Sequence, residues 1–163
     1  MLNRKFVRAI LLVLASVHAH ADVLGGRVVG VSDGDTIVVL DEGLTQHRIR
    51  LQGIDAPEKS QPFGQRSKEY LSSIAFHQEV QVEYEKRDKY GRLVGKVVLD
   101  SADVNLMMVS SGLAWHYKYY ESEQSAADRQ LYSSEEARAR REGVGLWSDA
   151  KPTPPWEFRR LSK

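Results

Sequence analysis

From Arg48 to Glu58 the chain reads Arg-Ile-Arg-Leu-Gln-Gly-Ile-Asp-Ala-Pro-Glu, so that Arg50, Asp55 and Glu58 fall within nine residues. Asp55 and Glu58, on a turn that contains Pro57, can face one point. An aspartate suits a hard cation, a glutamate can accept a proton from water, and a guanidinium forks the oxygens of a phosphate. Together they suit the processing of a phosphate ester. Asp35 is a further candidate, because it opens the apolar run Thr36 to Leu40, where a carboxylate is disfavoured unless a cation meets it. Arg92 stands at the entrance to a second apolar run, Leu93 to Leu99, where a sheet rather than a loose loop would hold it.

Period-two alternation identifies the elements that must position these groups. Ile49 and Leu51 alternate with Arg48, Arg50 and Gln52, the pattern of a half-buried strand, and Gly53 with Pro57 then turns the chain out of extended pairing. Upstream, Val28, Val29 and Val31 lead through Asp33-Gly34, a hairpin turn signal, into Thr36 to Leu40. Downstream, Pro62 opens a helix with Phe63, Ser67, Tyr70, Leu71 and Ile74 along one stripe. A second hairpin follows, Val80 to Tyr84 and Leu93 to Leu99, with the cationic tip Lys86 to Arg92. A short helix ending near Gly112 precedes the aromatic cluster Trp115, His116, Tyr117, Tyr119 and Tyr120, for which core packing and base stacking are both open. A helix over 121–142 stops at Gly143. Five strands with a helix after the third predict an α+β fold: a five-stranded OB-fold β-barrel with about three flanking helices.

Composition bounds the chemistry. The 163 residues include no cysteine, which excludes thiol nucleophiles, zinc–cysteine sites and iron–sulfur clusters. Residues 1–21 read as a signal peptide: Arg4, Lys5 and Arg8, an apolar stretch Ala9 to Val17, and Ala19-His20-Ala21 as a cleavage pattern. Removing them leaves 20 basic against 22 acidic side chains, a net charge of −2, so a polyanion must be attracted by local charge. Residues 22–150 then form the domain and 151–163 a Pro-rich C-terminal tail, in which Trp156 and Phe158 hint at docking. A secreted or periplasmic product without stable membrane association is expected. An EF-hand loop from Asp33 is excluded, since Ile37 and Leu44 stand where oxygen ligands are needed.

Asp33-Gly34-Asp35-Thr36, then Arg50, then Asp55-Ala56-Pro57-Glu58, then Asp88-Lys89-Tyr90-Gly91-Arg92 resemble, in order and spacing, the motifs of the staphylococcal nuclease (thermonuclease) family. The resemblance covers about Val23 to Trp147. It implies an OB-fold nuclease that binds Ca2+ and cleaves single- and double-stranded DNA and RNA, leaving 3′-phosphates; a monomer is expected. By motif position Asp35, Asp55 and the Ala56 carbonyl resemble the calcium ligands, Glu58 the general base, and Arg50 and Arg92 the phosphate-binding arginines. Lys89, Tyr90 and Tyr120 are candidates for substrate binding. Ala56 departs from the threonine of the best-known member, which removes a hydroxyl but not a carbonyl, and Val98 departs from an aromatic, which touches packing.

The residues also support hydrolysis without the resemblance. Past the leader only His47, His77 and His116 remain, none in the motif stretches, which disfavours a histidine-pair ribonuclease. A carboxylate acting on water makes the 2′-hydroxyl dispensable, so both DNA and RNA can serve. The alternatives are a non-catalytic nucleic-acid-binding OB-fold module, and an OB-type module for oligosaccharide or protein partners.

Overall fold

The computed structural model describes residues 21–162. The leader expected over 1–21 therefore lies, apart from Ala21, outside the described residues. The first strand, β1 (Asp22–Asp33), is the longest: its first half pairs antiparallel with β5 (Glu79–Arg87), and its second half with β2 (Thr36–Leu40). Register shifts after Val28 and Val31 bend it between its two partners, as bulges do at barrel corners. β2 continues antiparallel to β3 (Gln46–Leu51), and the two-residue β4 (Ile54–Asp55) follows. β5 pairs antiparallel with β6 (Leu93–Leu99), and β6 runs parallel to β3 through Ile49–Leu93, Arg50–Val94 and Leu51–Gly95. That last pairing closes five strands into the OB-type barrel.

Alternation explains what fills it. Ile37, Val39, Ile49, Leu51, Val80, Val82, Leu93 and Val97 are all buried, and each large aliphatic among them contributes about 1.5–3 kcal/mol relative to exposure. Helix α1 (Gly64–Ala75) adds Leu71 and Ala75 to this core, and α2 (Val104–Ser110), entered through the short β7 (Ala102–Asp103), adds Val104, Met108 and Val109. A second short strand, β8 (Trp115–His116), pairs with β4 and leads through a 3₁₀ turn, Lys118–Glu123, into α3 (Ala126–Glu142). The last helix, α4 (Pro155–Leu161), joins the three that the sequence predicts.

Three boundaries differ from expectation for local reasons. The helix after the motif turn starts at Gly64 rather than Pro62. Tight turns, in which the Gln61 N–H donates to Glu58 O and the Gly64 N–H to Gln61 O, intervene, and Phe63 is left-handed at φ 68°. The long helix starts at Ala126 rather than Glu121, because the Ser125 side chain caps it by accepting from the Asp128 N–H. Residues 155–161 of the expected tail are helical, with Pro155 in the first turn.

Asn105 ties the end of β3 to the barrel seam. Fully buried, it donates to Gln52 O (3.0 Å) and Gly95 O (3.1 Å) and accepts from the Val97 N–H (3.1 Å). Gly95 O also accepts from the Gln52 N–H at 2.8 Å, so removing the side chain strips Gln52 O and the Val97 N–H of this partner, at about 1–3 kcal/mol apiece before relaxation. Asn105→Ala is expected to lower the urea-unfolding free energy by about 3 kcal/mol; a loss under about 1 kcal/mol would show that the seam does not depend on this clamp.

Candidate active site

The barrel's strand register assembles the charged cluster. In the β2–β3 ladder Thr36 faces Arg50, so Asp35, one residue before β2, stands beside the Arg50 guanidinium. Arg50 Nη1 lies 3.0 Å from Asp35 Oδ2, and its Nη2 donates to Asp55 Oδ1 at 3.0 Å. Asp55 is delivered by β4, whose pairing with Trp115 and His116 of β8 fixes its backbone. The Ala56 N–H donates to Asp35 Oδ2 at 2.8 Å, which joins the hairpin tip to the motif turn directly. Gly34 makes that approach possible: a Cβ there would lie 1.9 Å from Ser67 Oγ and 2.8 Å from Ala56 Cβ. The hairpin turn is thus Gly34–Asp35, and glycine is needed for closeness rather than for its φ.

Burial governs the electrostatics. Asp55 is 1% exposed and Asp35 is buried beside it. The Asp35 carboxyl is pushed up to about 7, chiefly by loss of water; Arg50 works against that rise, and the neighbouring carboxylates of Asp33 and Asp55 add to it. Two buried carboxylates sharing a guanidinium leave uncompensated negative charge at the mouth of the barrel, which favours a further cation.

A cleft of about 610 Å³ opens over this cluster, and all nine residues singled out from the sequence line it: Asp35, Arg50, Asp55, Ala56, Glu58, Lys89, Tyr90, Arg92 and Tyr120. Arg92 is held by Asp88, which accepts from its Nε at 2.7 Å; against the effect of burial, the hydrogen bonds from Arg92 and Tyr90 hold the Asp88 carboxyl below its ordinary value. Arg92 also lies over the Tyr90 ring at 5.4 Å, with Lys89 on the same ring at 5.1 Å. Tyr90 is exposed, and Tyr120, on the 3₁₀ turn opposite, is partly so. The aromatic cluster divides: Trp115 and His116 are buried in β8, whereas Tyr117, Tyr119 and Tyr120 lie along the rim. Among the described residues no histidine lines the cleft.

Two further residues reach the cleft, one from the aromatic cluster and one from the tail. Tyr117 lies beside the aspartates, and its hydroxyl is raised by burial and by Asp55. Arg159, from α4, places Nη2 at 2.8 Å from Asp55 Oδ2 and Nη1 at 2.7 Å from Glu58 Oε1. The aromatics of the tail carried a hint that it docks, but no local signal marked Arg159, which is 104 residues from Asp55.

Comparison with known proteins gives the family. The family profile described as "Staphylococcal nuclease homologue" matches residues 48–149. A protein named micrococcal nuclease from Shigella flexneri is 42% identical, over 96% of this chain and 92% of its own. An uncharacterized endonuclease of Haemophilus influenzae is 37% identical over 100% of this chain and 89% of its own, and one from Escherichia coli O157:H7 is 42% identical over 96% and 97%. By profile, by near full-length likeness and by its closed barrel, this chain belongs to the staphylococcal nuclease family.

Proposed function

We propose that this chain is a calcium-dependent phosphodiesterase that hydrolyses DNA and RNA by attack of water on phosphorus, releasing 3′-phosphate ends. The observation that carries this reading is the convergence of Asp35, Asp55, Glu58, Arg50 and Arg92 on one cleft rimmed by Tyr90, Tyr117 and Tyr120. A binding module needs the cations and the rings, but not three carboxylates facing a polyanion.

The donor set suits a hard cation. Asp35, Asp55 and the Ala56 carbonyl offer only oxygen, and a guanidinium is already drawn to the two aspartates. Among the described residues no three His, Asp or Glu side chains form a metal-holding group, so an ion there would complete its shell with main-chain oxygen and water, as calcium does. Bound calcium would offset charge on the phosphate oxygens. Glu58, 40% exposed at its side chain, stands where it can take a proton from water as the new P–O bond forms. The P–O5′ bond breaks, and the leaving oxygen acquires a proton. Arg50, rigid on β3, and Arg92, at the entrance to β6, can fork the phosphate oxygens and stabilise the five-coordinate transition state. Tyr90 and Tyr120 offer ring faces to the bases on either side, with Lys89 attracting the backbone. No helix among the described residues is long and apolar enough to cross a membrane. The reading is completed by export after Ala21 and action as a soluble monomer; N-terminal sequencing of exported protein should begin at Asp22, and finding Met1 instead would remove the leader from the proposal.

Excess chelator should abolish cleavage of plasmid DNA, and Asp35→Ala should raise the calcium concentration for half-maximal activity. Full activity in chelator would take the cation out of the mechanism.

Mutant kinetics on single-stranded DNA at saturating calcium separate the remaining roles. Glu58→Gln should lower turnover roughly 10²- to 10⁴-fold with little change in the Michaelis constant. Arg50→Lys and Arg92→Lys should each lower it roughly 10²- to 10³-fold, because an ammonium keeps charge but loses the fork. Arg48, exposed two residues before Arg50, is the control, and Arg48→Lys should cost less than about threefold. Equal damage from the Arg48 and Arg50 variants, or near-full turnover with Glu58→Gln, would overturn these assignments.

A further inference from the structure

The C-terminal helix does more than pack. Trp156 stacks on Tyr117 with ring centroids 5.3 Å apart and planes 12° from parallel, and it meets the buried Trp115 edge-on at 5.5 Å. Gln61, just after the motif turn, donates through its side chain to Thr153 O, while Phe158 borders a crevice shared with Pro57, Phe63 and Trp115. These contacts aim one side chain of α4 into the cleft. Arg159 grips Asp55 through both oxygens, at 2.8 and 3.2 Å, and with the same Nη1 reaches Glu58 at 2.7 Å. It therefore sits on a carboxylate assigned to the cation and on the carboxylate assigned to the base.

Charge makes these two occupants alternatives. Asp35, Asp55 and Glu58 carry up to three negative charges, and Arg50, paired with both aspartates, offsets one. Arg159 supplies a second positive charge, and a divalent ion would supply two. Asp55 Oδ1 already accepts from Arg50 Nη2 and Arg159 Nη1, and Oδ2 from Arg159 Nη2, so an ion held by both oxygens must take the place of Arg159. The hold can open from its solvent side: α4 has seven residues, the Arg159 side chain is 42% exposed although Asp55 is buried, and a divalent ion brings twice the charge of the guanidinium to the same oxygens.

We propose that Arg159 is an intramolecular occupant of the cation site, a latch that closes the cleft when calcium is scarce and is expelled together with α4 when calcium binds. The proposal rests on the calcium reading of the site. Because binding must first open the latch, Arg159 sets the calcium concentration at which the site fills: apparent affinity falls by the fraction of molecules that are open. Expulsion also frees Glu58 Oε1 and unstacks Trp156 from Tyr117, so the base and one ring of the rim become available in the same event.

Calorimetric titration of calcium into the full mature protein, together with amide hydrogen exchange over residues 155–161, tests this without reference to activity. Arg159→Gln, which keeps hydrogen-bonding capacity but removes the charge, should bind calcium about tenfold more tightly than wild type. Arg160→Gln, the neighbouring charge change outside the cleft, should bind as wild type does. In wild type, calcium should speed exchange across α4; in Arg159→Gln exchange should be fast from the start. Equal calcium affinity in wild type and Arg159→Gln, weaker binding by the variant, or calcium-independent exchange in wild type would overturn the latch while leaving the calcium reading intact. Failure of every form to bind calcium would overturn both.

Discussion

Everything at the mouth of this barrel depends on the Arg50 guanidinium bridging two buried aspartates. Either carboxylate alone would be costly to bury; two side by side repel as well, and the rise in the Asp35 pKa registers that strain. Arg50 can answer both because it is anchored in a strand whose neighbours on either side are fixed, β2 by antiparallel pairing and β6 by the parallel closure. A longer tether or a looser edge would let it choose one partner. The barrel therefore serves as a rigid mount for charge, and the residual negative potential it leaves unanswered is what makes the cleft receptive to cations.

The rest of the molecule distributes around that mount according to how firmly each group must be held. Asp55 is fixed from both flanks, by the β4–β8 bridge and by the Tyr117 N–H donating to Gly53 O at 2.8 Å. Arg92 is held less tightly, by an aspartate four residues earlier in its own hairpin tip. Tyr90, Tyr119 and Tyr120 are freer still, with faces open to solvent. Constraint by neighbours thus decreases from the buried charges at the barrel mouth to the exposed rings at its rim.

Much of this was legible because the decisive residues break local pattern. Asp35 opens an apolar strand, Arg92 stands at the entrance to another, and Asp55 and Glu58 lie on either side of a proline, so each stands out within a few residues and its partner can be sought nearby. The barrel was legible for the same reason, since period-two alternation is local. What escaped is non-local. Asn105 looks like any polar residue in a short amphipathic helix until three backbone groups from β3 and β6 surround it. Arg159 and Arg160 are two adjacent basic residues in a last helical turn, where cations normally just complement the helix dipole, and only the tertiary path of the chain separates their fates. The aromatic run shows the limit of composition, because consecutive rings divide between interior and rim at the end of a two-residue strand.

The contact at Gly34 extends the reach of the site into a place with no chemistry of its own. Its Cα rests against Ser67, whose hydroxyl donates to Leu113 O at 2.7 Å and is fully buried. The hairpin tip that carries Asp35 therefore rests on one small helical side chain as well as on Ala56 of the motif turn. Ser67 sets how closely that tip can seat: a bulkier residue there would push Gly34, and Asp35 beside it, away from the Ala56 N–H, so the charged cluster depends on a helix position that carries no charge.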